Sequence, residues 1–177
     1  VACLIEQGTL EKKNNNLKKI NYYHLDKELF LKTLLDNLPK NTKVVSSTGY
    51  NSRELMYIRK KYGLNNSKDF YMVGGMGHSS AVTVGLSLNS KVQNICIDGD
   101  GALLMHLGSM GINAKYGRNR FKHILLRNNT HESVGDQTTN SDHIDFNKLS
   151  NSLGYKSYYK IDNLISYKKI LKNFLNE

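Results

Sequence analysis

Asp100 stands between two glycines, Gly99 and Gly101, directly after the apolar run Val92 to Asp98. Small residues let a backbone pass close to a ligand with free N–H groups turned outward, which favours phosphate. A carboxylate there has the wrong charge to touch phosphate, yet it is a hard oxygen ligand for a divalent cation that bridges to phosphate. Gly99-Asp100-Gly101-Ala102 therefore reads as a phosphate turn with a metal. One helix and one strand further on, the apolar run Lys122 to Arg127 ends in Asn128-Asn129, whose amide oxygen arrives beside the carboxylate. Two upstream strand ends, Ser47-Thr48-Gly49 and Gly74-Gly75-Met76-Gly77-His78, are also rich in small residues. Taken singly, each has a plainer reading: the Gly-Asp-Gly as a surface turn, Thr48 as a cap, Met76 as core filling.

Five short apolar runs carry these segments: Lys43 to Ser47, Asp69 to Val73, Val92 to Asp98, Lys122 to Arg127 and Tyr155 to Ile161. They alternate with helical patterns at Ser52 to Tyr62, His78 to Asn89, Ala102 to Tyr116, Phe146 to Leu153 and Asn163 to Asn176, preceded by a helix over Leu25 to Leu38 that stops at Pro39. Leu103, Leu107, Met110 and Ala114 share one helical face, as a helix covering a sheet requires. The pattern predicts an α/β fold: an open, mostly parallel sheet with helices on both faces. Ligands of such sheets bind beyond the carboxyl ends of the strands, where all four segments lie. Val1 to Ile5 reads as a further short strand and Glu11 to Lys19 as a polar linker, so residues 1–20 are expected to be the tail of a preceding domain and residues 21–177 the domain itself.

A length of 177 residues suits one compact domain, and 39% hydrophobic with 23% charged residues is an ordinary globular composition. No apolar run approaches the roughly 20 residues needed to span a bilayer. Cys3 and Cys96, without zinc-type spacing, suggest a reduced, cytoplasmic protein without structural disulfides. The formal charge of +10 could serve nucleic acid, but the basic residues are scattered among asparagines, and an anionic cofactor or substrate suits the field as well. A dinucleotide site at Gly74 to Gly77 lacks the full GxGxxG and a dedicated acidic ribose partner.

Gly99-Asp100-Gly101 followed by Asn128-Asn129, each element closing a strand, resembles the cofactor motif of thiamin diphosphate (ThDP) dependent 2-oxoacid decarboxylases. The resemblance implies Mg²⁺ held by the side chains of Asp100 and Asn129 and the backbone carbonyl of His131. It places the diphosphate against Thr48, Gly49, Gly99, Gly101 and the N–H of Ala102. It makes Met76 the apolar wedge that bends the cofactor, with the Gly74 carbonyl accepting from the cofactor amino group. Within the family, the runs Gly99 to Ser109, Asn128 to Gly135, Ser52 to Leu55 and Met76 to Ser80 are most similar to the phosphonopyruvate decarboxylase branch, over about Thr42 to Tyr155. Val1 to Leu10 resembles the last strand of the pyrimidine-binding domain that precedes the ThDP diphosphate-binding domain there.

The activity so implied is decarboxylation of 3-phosphonopyruvate, a small anionic 2-oxoacid, to phosphonoacetaldehyde and CO₂. His131, Glu132 and Ser133 then become candidates for substrate contact or proton relay, since a neutral imidazole exchanges protons near pH 7. Arg53 and His78 are further possible anion contacts, with ordinary surface or capping roles equally open. The family needs a glutamate on its pyrimidine-binding domain, so an oligomer is expected, with that domain in the same longer chain or in a separate subunit. This chain alone is expected not to turn over. One departure is Gly135-Asp136-Gln137-Thr138-Thr139, where the branch tends to read Gly-Gly-Gln-Pro-Thr. Asp136 would repel an anionic substrate, which keeps open a sulfopyruvate or other 2-oxoacid decarboxylase subunit, or a non-catalytic ThDP-binding interaction module.

Overall fold

The structure, a computed structural model, describes residues 2–5, 25–64 and 68–177. Strands β1 (Ala2–Ile5), β2 (Lys43–Ser46), β3 (Phe70–Tyr71), β4 (Asn94–Gly99), β5 (Phe121–Leu126) and β6 (Tyr158–Ile161) form one sheet in the order β3-β2-β4-β5-β1-β6. Every pairing is parallel. The expected linker at Glu11 to Lys19, and the boundary at residue 20, lie outside the described residues. The strand expected at Val1 to Ile5 forms as β1 and pairs within this sheet: Cys3 lies opposite Ile124 of β5 on one side and Tyr159 of β6 on the other. The slot between β5 and β6 offers a donor and acceptor row on each side, which a short apolar strand satisfies.

Side-chain alternation divides the core into two layers. Ile95 and Ile97 on β4, with Ile124 and Leu126 on β5, face helices α1 (Lys27–Asn37), α2 (Tyr50–Lys61) and α7 (Leu164–Asn176). Cys96, Phe121 and Leu125 face α3 (Ser79–Leu88), α4 (Asp100–Met105), α5 (Ser109–Gly117) and α6 (Phe146–Ser152). The helix starts are written locally. Asp26 caps α1 by accepting from the Leu29 N–H at 2.6 Å, and Asn163 with Ser166 forms a capping box on α7.

Two elements depart from expectation. The single helix over Ala102 to Tyr116 is broken between His106 and Gly108, and the Ser109 N–H bonds the His106 carbonyl at 2.9 Å. Gly108 disfavours continuous helix, and Gly77 packs into the break, where a Cβ would stand 2.5 Å from His106 Cδ2 and 2.8 Å from the Ala102 carbonyl oxygen. Leu103 and Met110 still face the core across the break. Strand β3 is shorter than Asp69 to Val73, because Gly74 and Gly75 turn the chain away at positive φ and leave Val73 exposed.

From β2 the chain crosses to β3 over α2, then returns past β2 to β4 over α3 on the opposite face. The direction of winding thus reverses between β2 and β4, and the loops after these two strands part there to leave a crevice.

Candidate functional site

A cavity of about 700 Å³ opens at these strand ends, within the range of small-molecule sites. Of the residues singled out in the sequence, Thr48, Met76, Gly99, Asp100, Gly101, Ala102, His131, Glu132 and Ser133 line it. Gly49 lies at its edge with φ +87, and a Cβ there would meet Ser133 Oγ at 2.8 Å, so the Thr48-Gly49 turn and the loop after β5 touch. Gly74 is exposed and is not among the lining residues.

Asp100 is 1% exposed, and one of its oxygens, Oδ2, accepts three hydrogen bonds. The donors are the Asn129 N–H at 3.0 Å, Thr139 Oγ1 at 2.7 Å and Ser141 Oγ at 2.6 Å. Ser141 Oγ also lies 2.5 Å from Asn129 Oδ1, which in addition accepts from Arg127 Nε at 3.0 Å. The side-chain oxygens of Asp100 and Asn129 are thereby brought against one hydroxyl. That hydroxyl carries a single proton and cannot donate to both at once. Hard oxygens of a carboxylate, an amide and a hydroxyl crowded together are a donor set that fits a divalent cation such as Mg²⁺.

The loop that makes this arrangement is a hairpin. Asn129 takes φ +58, a left-handed conformation that asparagine tolerates, and the Asn128 side chain accepts from the Thr130 N–H at 3.1 Å. Thr130 bridges Thr138 in antiparallel fashion, and the Thr139 N–H returns to the Asn129 carbonyl at 3.0 Å. Thr139 and Ser141 come under Asp100 in this way. The hairpin also engages the backbone of one expected ligand. The His131 carbonyl accepts from the Val134 N–H at 3.0 Å and the Asp136 N–H at 3.2 Å, which occupies both lone pairs inside the turn. Its imidazole lies over Gly101 instead, where a Cβ would meet His131 Cε1 at 2.4 Å.

Other lining residues were not expected. Tyr50, Asn51, Glu54, Tyr57 and Ile58 come from α2, and Asp26, Lys27 and Glu28 from the start of α1. Apart from Glu54, which lies in the family-like run Ser52 to Leu55, their sequence signal was placement just after Thr48-Gly49 or at a helix start. Among the described residues, six carboxylates (Asp26, Glu28, Glu54, Asp100, Glu132, Asp136) line the cavity against two full cations, Lys27 and Arg127, and Lys27 pairs with Glu54 at 2.5 Å. The net positive charge of the chain is therefore not gathered here. A diphosphate needs a bound cation in such a cavity to offset the repulsion.

Residues 47–177 match the family described as "Thiamine pyrophosphate enzyme, C-terminal TPP binding domain". The chain is 34% identical over 134 residues to a phosphonopyruvate decarboxylase of Streptomyces viridochromogenes, covering 76% of this chain and 32% of that protein. It is 30% identical over 148 residues to the β subunit of a sulfopyruvate decarboxylase of Methanocaldococcus jannaschii, covering 83% of this chain and 76% of the subunit. The chain thus spans about a third of the length of the phosphonopyruvate decarboxylases it matches. The benzoylformate decarboxylase of Polynucleobacter necessarius shares the fold, with a TM-score of 0.69 at 16% identity over 94% of this chain and 33% of that one. No described helix is long and apolar enough to cross a membrane. The fold, the strand-end cavity and these matches agree: the chain belongs to the thiamine pyrophosphate enzymes and carries their C-terminal TPP-binding domain.

Proposed function

We propose that this chain is the diphosphate-binding half of a Mg²⁺-dependent and ThDP-dependent decarboxylase that converts 3-phosphonopyruvate to phosphonoacetaldehyde and CO₂. The observation that carries the reading is the convergence of Asp100 Oδ2 and Asn129 Oδ1 on one hydroxyl beneath the cavity. Asp100 and Asn129 would hold Mg²⁺, with Ser141 or water completing the oxygen set in place of the engaged His131 carbonyl. Thr48, Gly49, Gly99, Gly101 and the N–H of Ala102 would receive the diphosphate, and Met76 and the Gly74 carbonyl would set its bend. ThDP supplies the electron sink that lets CO₂ depart. The protein positions substrate against it and manages protons. His131, Glu132 and Ser133 line the cavity on the loop after β5 and would contact a bound 2-oxoacid or relay its proton. A pyrimidine-binding domain would contribute the activating glutamate in an assembled oligomer, so this chain by itself is expected not to turn over.

A second reading, the β subunit of a sulfopyruvate decarboxylase, is favoured by one observation: the chain spans 76% of such a subunit. Asp136, at the rim of the cavity with φ +59, would act against either anionic substrate and leaves a non-catalytic ThDP-binding module as a third outcome. Calorimetric titration with ThDP, with and without Mg²⁺, tests the shared premise; binding that ignores Mg²⁺ counts against it. Phosphonopyruvate and sulfopyruvate offered to the chain with its pyrimidine-binding partner then separate the readings.

A further inference from the structure

On the face of the sheet opposite α1, α2 and α7, three side chains able to bind a transition metal meet in the core. Cys96 and Asp98 alternate onto the same face of β4, and His123 on β5 lies directly opposite Cys96. All three are buried, at 0%, 0% and 3% exposure, and one ligand atom from each lies within 4.8 Å of the others. Asp98 Oδ2 and His123 Nε2 have no hydrogen-bond partner among the described residues, although the large majority of buried polar atoms have one. They face each other at 3.5 Å. Two ligands on a tetrahedral zinc, at Zn–N and Zn–O distances of about 2.0–2.2 Å, stand about 3.3–3.5 Å apart.

The remaining atoms of these side chains are already engaged. The Gly99 N–H donates to Asp98 Oδ1 at 3.1 Å, and His123 Nδ1 pairs with the Tyr155 hydroxyl at 2.9 Å. Such outer partners fix the tautomer and aim of metal ligands, and here they leave Nε2 and Oδ2 as the atoms turned toward each other. Burial, and after it the Asp98 charge, pushes the Cys96 thiol up, so the sulfur would ligate as thiolate only with a cation beside it. One thiolate and one carboxylate with a neutral imidazole balance a divalent ion, which leaves a buried centre without net charge.

We propose that Cys96, Asp98 and His123 supply three protein ligands of a single buried Zn²⁺, which ties β4 to β5 beneath the two loops that carry Asp100 and Asn129. Linear spacing hides the site, because its ligands come from neighbouring strands rather than from one short motif. The proposal does not depend on the cofactor reading, since it uses none of the residues that line the cavity.

Zinc content is the measurement. The full chain is unfolded with chelator, refolded with Zn²⁺, dialysed into Mg²⁺ buffer and analysed by plasma mass spectrometry. About one zinc per chain is expected, retained by Asp100→Asn and lost by Cys96→Ser and His123→Gln. Should those variants not fold, zinc-edge X-ray absorption of the unaltered chain decides, with one sulfur expected at about 2.3 Å and nitrogen or oxygen at about 2.0–2.2 Å. Less than a tenth of an equivalent, zinc retained by Cys96→Ser, or a spectrum without sulfur would each overturn the site and leave Asp98 and His123 as a plain buried ion pair.

Discussion

Replacing Asp100 by alanine tests the metal assignment and the loop geometry together. Three donors end on Asp100 Oδ2, but two have an alternative. Thr139 Oγ1 lies 3.2 Å from Ser141 Oγ, and Ser141 Oγ lies 2.5 Å from Asn129 Oδ1, so both hydroxyls re-pair within the hairpin. The Asn129 N–H is left without a partner, at a cost of about 1–3 kcal/mol. Loss of an acid from the first turn of α4 adds about 0.3–1 kcal/mol. Some of this is offset, because a buried carboxylate no longer has to be desolvated. A net loss of about 2 kcal/mol is small against the roughly 5–15 kcal/mol that holds a domain together, so Asp100→Ala is expected to fold. Its Mg²⁺-dependent affinity for ThDP should fall at least tenfold, which corresponds to about 1.4 kcal/mol. Urea unfolding followed by circular dichroism gives the first number, and calorimetric titration in Mg²⁺ and in chelator gives the second. A folded variant that binds ThDP in Mg²⁺ as tightly as the unaltered chain refutes the metal assignment. A variant that does not fold refutes the account of its hydrogen bonds.

Asn129→Gly keeps the φ +58 turn without strain while deleting the amide oxygen; stability within about 1 kcal/mol of the unaltered chain and a roughly tenfold weaker Mg²⁺-dependent ThDP titration are expected. Asn129→Ala should lose the same affinity and a further 1–2 kcal/mol or so from the left-handed backbone, measurable by the same unfolding curve. In the enzyme reconstituted with a pyrimidine-binding domain, Met76→Ala should lower turnover more than it weakens cofactor binding, because the reactive bend is less populated; unchanged turnover would contradict the wedge. Lys122 is 1% exposed with its amine 5.9 Å from the Phe174 ring, and burial lowers its pKa against the opposing pull of Glu177. The folded chain therefore holds fewer protons than the unfolded one as pH approaches the usual lysine value, and stability should rise with pH across that window. Lys122→Met should melt higher at pH 7 and lose that rise, whereas parallel melting curves for the two chains would tell against a strained ammonium.

The parts of this molecule that depend on period and punctuation were legible in the sequence. Short apolar runs alternating with helical patterns gave the parallel strands, and Pro39 marked the end of the first helix through backbone chemistry that acts over a few residues. The Asp100 and Asn129 pairing was legible because each follows a strand directly and adjacent parallel strands deliver their ends to one place. Contacts made by chain reversal were not. Thr139 and Ser141 reach Asp100 only because Asn129 turns left-handed and the hairpin closes, and no spacing rule reports that. The same closure engaged the His131 carbonyl that the resemblance had assigned to the metal. The break at His106 to Gly108 was hidden because the apolar face continues across it, so the periodicity of Leu103 and Met110 looks like one helix. Strand order was equally opaque, since nothing in Ala2–Ile5 says which neighbours it will find.

That placement of β1 bears on how the molecule is made. Residues 2–5 are synthesised well before Phe121–Leu126, their neighbour on one side of this sheet, and they are enclosed only when Tyr158–Ile161 arrives. Pairings between such distant stretches close large loops and slow folding. Until β1 docks, β5 presents a bare edge at Phe121–Leu126, open to the same edge of another nascent copy. Recovery of native protein should then hinge on how briefly that edge stays bare, a matter of synthesis rate and holding chaperones more than of the final strength of the fold.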